Sequence, residues 1–144
     1  MQYSVILPTL NENGHIASLV EAIKKIFISY KIKFEIIIID DNSSDGTIQT
    51  VSSLIKQNTN LLLKVRKNLK KNLPESLNLG IELSKYENII WMDADFQHPP
   101  KYIEEFLKKS NKFDVIVCSR FLAESERYFK DKNLNKDINE NQSY

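Results

Sequence analysis

Two aspartates one residue apart, Asp93 and Asp95, are the clearest candidates for chemistry in this 144-residue chain. They follow the apolar run 89–92, which predicts the end of a buried strand, and Pro99 and Pro100 then predict the first turn of a helix. Residues i and i+2 of an extended segment point to the same side, so both carboxylates can face one point beyond the sheet. Two carboxylates held together repel each other unless a cation lies between them, and all-oxygen ligands suit Mg²⁺ or Mn²⁺. The sequence therefore predicts a metal-bridged phosphate site.

The composition is that of an ordinary globular domain, with 42% hydrophobic and 27% charged residues. A net charge of +1 argues against a nucleic-acid partner held by bulk electrostatics. The single Cys118 cannot form an internal disulfide, which fits a reducing compartment, and its apolar run predicts a strand that places it in the core. The sequence shows neither a membrane-spanning segment nor the pattern of a signal peptide, so we expect a cytoplasmic protein. Nothing in it predicts an oligomeric state.

Strands and helices are predicted in alternation along the chain. Short apolar runs predict buried strands, and apolar residues at helical spacing predict the helices between them. The predicted strands are 3–9, 34–39, 61–65, 89–92 and 113–118, and the predicted helices are 14–30, 48–55, 74–85 and one that starts at Pro99 and Pro100. This order implies an α/β fold with a mostly parallel, doubly wound sheet and helices on both faces. Residues 1–122 are expected to form this domain, and the polar segment 123–144 is expected to be disordered.

Polar clusters follow the ends of three predicted strands, at residues 9–12, 40–47 and 93–98. Ligands of such sheets bind beyond the carboxyl ends of the strands, where the strand order reverses, so the clusters are expected to form one site. We interpret Asp41 as functional, and Asp40 and Asp45 as mostly structural turn and cap residues. His98 is interpreted as a local structural contact.

The chain has three glycines, Gly14, Gly46 and Gly80, and their spacing does not match the common phosphate-binding loops. No pair of them has the spacing of G-x-G-x-x-G or of a P-loop. Dinucleotide dehydrogenases and P-loop kinases hold phosphates with the amides of such a loop and a helix N-terminus, whereas this chain has acids in that place. Acids can hold a nucleotide diphosphate only through a divalent metal.

Four segments together resemble one family: residues 8–12 (PTLNE), 39–47 (IDDNSSDGT), 93–100 (DADFQHPP) and 118–121 (CSRF). In this order and spacing the chain resembles the GT-A family 2 glycosyltransferases, most closely the dolichol- or polyprenol-phosphate mannosyltransferases. The resemblance covers roughly residues 3–121. It implies the nucleotide-binding half of a GT-A fold, a nucleotide-sugar donor with GDP-mannose favoured, Mg²⁺ or Mn²⁺, and a lipid-phosphate acceptor at a membrane surface.

The matching positions carry the roles that the resemblance implies. Asp93, Asp95 and Gln97 are expected to hold the metal and, with Ala94, the donor diphosphate. Arg120 is expected to bind phosphate through its planar fork, and Asp95 and Arg120 are the expected catalytic residues. A carboxylate can also accept hydrogen bonds from a base N–H or a ribose hydroxyl. The nucleoside pocket is expected to be lined by Pro8, Leu10, Glu12, Ile39 and Asp41.

The implied reaction is inverting transfer of a sugar, mannose favoured, to polyprenyl or dolichyl phosphate. The metal would stabilise the departing diphosphate as a Lewis acid. A lipid phosphate with a second pKa of about 6 is largely dianionic at pH 7 and can attack without a protein base. Such an acceptor places the protein peripherally at the cytoplasmic face of a membrane.

Two alternatives stay open: a catalytically impaired or non-catalytic nucleotide-sugar-binding fragment, and a family 2 transferase with a saccharide acceptor, which needs a carboxylate base. The sequence departs from the family at Asn72, where a glycine is usual, and at Leu10, where tyrosine is frequent. After Arg120 the acceptor-facing part of the family pattern is missing, so a truncated form is expected. A metal-dependent nucleotidyltransferase is disfavoured, because residues 8–14 lack a basic phosphate loop.

Overall fold

The computed structural model describes residues 1–67 and 70–118. Strands and helices alternate in them as predicted, with the bounds of the first seven elements shifted by one or two residues at most. The elements are β1 (Gln2–Thr9), α1 (Ile16–Ser29), β2 (Lys33–Asp40), α2 (Thr47–Ile55), β3 (Leu61–Val65), α3 (Leu73–Leu83), β4 (Asn88–Trp91) and α4 (Tyr102–Lys109). The chain divides into two units, Met1–Leu107 and Lys108–Tyr144, and the sheet lies in the first.

All four strands are parallel, and their order in the sheet is β3-β2-β1-β4. β1 pairs with β2 from Gln2 opposite Lys33 to Thr9 opposite Asp40. From β1 the chain builds outward to β3 and then returns to place β4 on the other side of β1. The strand order therefore reverses between β1 and β4, and the predicted doubly wound sheet is confirmed.

Helices cover both faces of the sheet, as predicted. Successive residues of a strand point to opposite faces, so each strand contributes to two cores. The larger core lies under α1, α2 and α4 and contains Val5, Leu7, Leu19, Ile23, Phe27, Ile36, Ile38, Val51 and Ile103. The smaller core lies under α3 and contains Ile6, Ile37 and Ile39, packed against Leu77, Leu79 and Leu83.

Gly80 allows α3 to approach β1 closely. A Cβ atom added at Gly80 would lie 2.5 Å from Cγ2 of Ile6, and Ile6 is fully buried. A distance this short requires the Ile6 side chain, the helix or the strand to shift. Glycine therefore fits at this point of the helix without such a shift.

Replacing Gly80 with alanine is expected to destabilise the fold by about 1–3 kcal/mol, because overpacking outweighs the better helix propensity of alanine. Urea unfolding measures the change. Gly14→Ala is the control, since an added Cβ at Gly14 meets nothing within 4 Å. Equal urea midpoints for Gly80→Ala and the wild type would contradict the close approach.

Two predictions about residues 113–118 are wrong. This segment was expected to form a fifth strand, but it forms no strand, and Val115 and Val117 are 78% and 79% exposed. Its β-branched composition is typical of a strand, yet a strand also needs a hydrogen-bonded neighbour, and the described residues supply none. Cys118, expected in the core, is exposed.

Pro99 and Pro100 form a turn that leads into α4. The N–H of Tyr102 donates to the carbonyl of Pro99 at 3.1 Å, and the N–H of Ile103 donates to the carbonyl of Pro100 at 2.9 Å.

The segment 123–144, predicted to be disordered, lies outside the described residues. Within residues 1–67 and 70–118, no helix combines the length and apolar content that crossing a bilayer requires.

Candidate active site

The predicted polar clusters lie at one edge of the sheet. Because the strands are parallel, the loops that follow β1, β2 and β4 all leave from their carboxyl ends. The loops after β1 and β4 flank the point where the strand order reverses. We call this edge, formed by residues 10–15, 41–46 and 92–101, the switch edge.

The loop after β1 is tied to the loop after β2 by a series of hydrogen bonds. Three successive backbone N–H groups of the first loop donate to side chains of the second. They are Asn11 to Ser43 Oγ at 2.8 Å, Glu12 to Thr47 Oγ1 at 2.8 Å, and Asn13 to Asp45 Oδ2 at 2.9 Å. In return, Ser44 N–H donates to Asn11 Oδ1 at 2.9 Å. The two loops therefore position Glu12 as one unit.

Asp40 and Asp45 have the structural roles predicted for them. Asp40 is fully buried and accepts hydrogen bonds from Thr9 Oγ1 at 2.9 Å and from Ser43 N and Oγ, both at 2.7 Å. The hydrogen bond from the Thr47 hydroxyl, together with backbone N–H groups, lowers the pKa of Asp45 below its ordinary value. Both carboxylates are thus used to hold loops.

Glu12 lies in an acidic environment at the switch edge. Its pKa is raised above the ordinary 4.5, first by burial, then by the nearby charge of Asp95, with smaller contributions from Asp45 and Asp93. His15 acts in the opposite direction. The charges of Asp93 and Asp95, in the loop after β4, therefore act on Glu12, in the loop after β1.

Asp93 and Asp95 lie in the loop after β4, and each is held by a local contact. Asp95 Oδ1 accepts the backbone N–H of Gln97 at 2.9 Å. The backbone N–H of Asp93 donates to Nδ1 of His98 at 3.1 Å, and His98 Nε2 lies 3.5 Å from Asp93 Oδ2. Since Nδ1 accepts, a neutral His98 carries its proton on Nε2, facing the carboxylate. His98 is thus a local structural contact, as predicted.

Phe96, between the two carboxylates and Gln97, has a left-handed backbone with φ of 63°. Asn11 and Asn42 have similar values at the neighbouring strand ends, but asparagine tolerates this region, whereas for a bulky residue it costs about 1–2 kcal/mol. The ring of Phe96 packs against the larger core and stands edge-on to His15, with centroids 6.1 Å apart. This packing holds the turn that presents Asp95, and strain of this kind clusters at functional sites.

The donor set at the switch edge fits a divalent metal with few protein ligands. Among residues 1–67 and 70–118, no group of three or more acidic, histidine or cysteine side chains forms a cage for a metal. Mg²⁺ commonly takes only one or two protein carboxylates and fills its other positions with water and substrate phosphates. The pKa of Glu12 is raised first by burial and then by repulsion from Asp95, and a nearby cation would relieve the repulsive part.

The other predicted site residues differ in whether their side chains are exposed or buried. Pro8 is half-buried and Leu10 is 37% exposed at the switch edge, so both can contact a ligand. The side chains of Ile39 and Ala94 lie in the two cores, which leaves no side-chain surface for a nucleoside or diphosphate. Gln97 is exposed.

Arg120 lies outside the described residues, and its role stays a prediction. Sequence reasoning missed another arginine, Arg66, which is buried beside Asp41. The available signal was its rarity, since arginine occurs only at positions 66, 120 and 127.

Replacing Glu12 with glutamine is expected to stabilise the protein at pH 7 by a few tenths to about 1 kcal/mol, since partly exposed charges are screened. The raised pKa means that folding favours the protonated carboxyl, so ionised Glu12 opposes folding above that pKa. The advantage of glutamine should therefore shrink as the pH falls through the raised pKa towards 4.5, where wild-type Glu12 takes up its proton. Urea unfolding between pH 7 and 4 measures this, with Glu82→Gln on α3 as an exposed control. An advantage for glutamine that does not change with pH would contradict the assignment.

The parallel sheet in the order β3-β2-β1-β4, covered by helices, is shared with glycosyltransferases of the GT-A fold. The chain belongs to glycosyl transferase family 2, whose sequence profile matches residues 4–143. Both the predicted family and the predicted fold class are confirmed.

Two curated relatives are dolichol-phosphate mannosyltransferases. The chain is 36% identical to that of Mycosarcoma maydis over 112 residues, which is 75% of this chain and 38% of the relative. It is 32% identical to that of Saccharomyces cerevisiae over 125 residues, which is 84% of this chain and 45% of the relative. The chain thus spans less than half the length of these relatives.

A similar solved structure is the mannosyltransferase PcManGT from Pyrobaculum calidifontis, in complex with GDP-Man and Mn²⁺. It is 25% identical to this chain, with a TM-score of 0.54, and the match covers 65% of this chain and 27% of that one.

Proposed function

We propose that this chain is the donor-binding part of a metal-dependent, inverting glycosyltransferase that moves mannose from GDP-mannose to a polyprenyl or dolichyl phosphate. The observation that carries the proposal is that Glu12, in the loop after β1, and Asp93 and Asp95, in the loop after β4, lie at the switch edge of a family 2 domain. The names of the curated relatives support the mannose and the lipid phosphate. The GDP-Man and Mn²⁺ in the Pyrobaculum structure support the donor and the metal.

On the donor side, Asp93, Asp95 and Gln97 would hold Mg²⁺ or Mn²⁺, which supplies Lewis-acid stabilisation of the departing diphosphate. The turn of Phe96 and the contact from His98 keep the two carboxylates in place before the donor arrives. Such preorganisation lowers the cost of ordering the site during the reaction. Glu12 and Asp41 would accept hydrogen bonds from the nucleoside.

On the acceptor side, the proposed nucleophile is a phosphate oxygen of the lipid. A dianionic phosphate needs no deprotonation at pH 7, so the proposal requires no carboxylate base from this chain. A single direct displacement at the anomeric carbon inverts its configuration. The lipid acceptor also places the protein at a membrane surface, as a peripheral protein.

Calorimetry with GDP-mannose and UDP-GlcNAc, each with and without Mn²⁺, tests the donor. We expect GDP-mannose to bind only with Mn²⁺ and more tightly than UDP-GlcNAc, and metal-independent or absent binding would overturn the donor assignment. Transfer of labelled mannose to polyprenyl phosphate, compared with a saccharide acceptor, tests the acceptor. Binding without transfer would favour a non-catalytic nucleotide-sugar-binding role, and transfer to the saccharide alone would overturn the lipid acceptor.

A further inference from the structure

Arg66 is a buried cation that follows β3 and reaches the end of β2. Its side chain is 3% exposed, and its backbone N–H donates to the carbonyl of Asp40 at 2.8 Å, which continues the strand pairing. The guanidinium Nη1 lies 2.5 Å from Asp41 Oδ1, 3.0 Å from Ser76 Oγ and 3.1 Å from the carbonyl of Asn72. Nη2 donates to Glu75, whose side chain is 58% exposed. The guanidinium thus joins Asp41 to the first turn of α3.

Asp41 is held on both of its oxygens. Oδ1 accepts from Arg66 and, at 2.9 Å, from the hydroxyl of Ser76, while Oδ2 accepts the backbone N–H of Asn72 at 3.0 Å. A carboxylate offers about four acceptor positions, so the residues that the structure describes take three and leave one, on Oδ2. The side chain of Asp41 is 11% exposed, so part of it is open to solvent.

The stability of the fold alone does not explain why Arg66 and Asp41 are buried as a pair. Burying an arginine and an aspartate costs desolvation that their attraction only roughly repays, and apolar residues of similar volume often serve the fold as well. What the pair does supply is a carboxylate held in a fixed direction. That property matters for recognition, because a preorganised acceptor binds its donor without first losing conformational freedom.

We propose that Arg66 is a positioning residue for nucleoside recognition: it holds Asp41 so that Oδ2 offers one acceptor position to one N–H or O–H donor of the nucleoside. This inference rests on the proposed function, since it assumes that Asp41 faces the nucleoside of the donor. Arg66 itself, covered by Asp41, Ser76 and Asn72, does not touch the nucleotide. The chemical class recognised is a nucleoside diphosphate, and the phosphates are held elsewhere, at Asp93 and Asp95.

The test compares two probes in the presence of Mn²⁺: GDP, and inorganic pyrophosphate, which has no nucleoside. In Arg66→Met we expect the dissociation constant of GDP to rise roughly 10- to 100-fold, the scale of a hydrogen bond to a charged group. Pyrophosphate affinity should stay unchanged. Arg66→Lys, which keeps the charge and loses the fork, should restore part of the GDP affinity. The matched control is Lys67→Met, at the next residue, which is exposed.

Each outcome decides one proposal. No binding of GDP by the wild type in the presence of Mn²⁺ would overturn the proposed function. GDP binding by the wild type that Arg66→Met leaves unchanged, or an equal loss for GDP and pyrophosphate, would overturn the role of Arg66 alone. If Arg66→Met does not fold, Arg66→Lys carries the test, and it must still lower GDP affinity more than pyrophosphate affinity.

Discussion

Replacing both Asp93 and Asp95 with asparagine is expected to weaken Mn²⁺-dependent binding of GDP-mannose at least roughly 100-fold. Loss of a residue that merely supports a metal ligand already costs about 10- to 100-fold in affinity, and here the proposed ligands themselves lose their charge. The fold should persist or gain stability, because both charges raise the pKa of Glu12 by repulsion. Calorimetry with and without Mn²⁺, together with urea unfolding, measures the two effects separately.

Glu87→Gln is the matched control for the aspartate variants. Glu87 is an exposed acid that precedes β4. It therefore lies at the amino ends of the strands, opposite the switch edge. Its loss changes the net charge but should leave binding intact. If the aspartate variants bound GDP-mannose as tightly as the wild type, the metal site would have to lie elsewhere.

Local sequence patterns were sufficient to predict the four strands that the structure describes. The run 34–39 is apolar without alternation because β2 is buried between α1 and α3, and the helices show one apolar stripe each. The polar clusters at 9–12, 40–47 and 93–98 follow strand ends, so a parallel order alone brings them to one edge. The sequence was therefore enough to predict that Glu12, Asp93 and Asp95 lie at the same edge of the sheet.

Pairings between distant residues were not predictable in this way. Arg66 meets Asp41 across 25 positions, and Glu35 meets Lys85 across 50, so no local pattern links the partners. The strand at 113–118 failed for a related reason, because its composition says nothing about the neighbour it needs. The burial of Ile39, assigned to the nucleoside pocket by resemblance, follows from the direction its side chain takes in β2.

Glu35 is a buried acid near the start of β2, at the amino ends of the strands and thus opposite the switch edge. Its carboxylate is almost fully buried, and Oε1 accepts from the hydroxyl of Ser4 at 2.7 Å and from the backbone N–H of Lys85 at 2.6 Å. The N–H of Tyr86 in turn donates to the Ser4 hydroxyl at 3.2 Å. One oxygen thus joins β1 and β2 to the loop that precedes β4.

Glu35→Leu is expected to destabilise the fold by about 2–4 kcal/mol, because it leaves two donors without an acceptor. The buried Ser4 hydroxyl should cost about 1–3 kcal/mol, and the part-buried Lys85 N–H should cost less. Glu35→Gln should cost less than about 1 kcal/mol, since the amide oxygen can accept both bonds and only the ion pair with the exposed Lys85 is lost. Urea unfolding of both variants measures the difference.

Neither Glu35 variant should alter GDP-mannose affinity under conditions where it is folded, because Glu35 and the switch edge lie at opposite ends of the strands. The two sets of variants thus test each other. Replacing Asp93 and Asp95 should weaken GDP-mannose binding without lowering the free energy of unfolding, and Glu35→Leu should lower the free energy of unfolding without weakening GDP-mannose binding. Equal destabilisation by leucine and glutamine would show that the charge of Glu35, rather than its hydrogen bonds, holds this edge. Loss of GDP-mannose affinity in folded Glu35→Leu would instead show that the two edges are coupled through the strands.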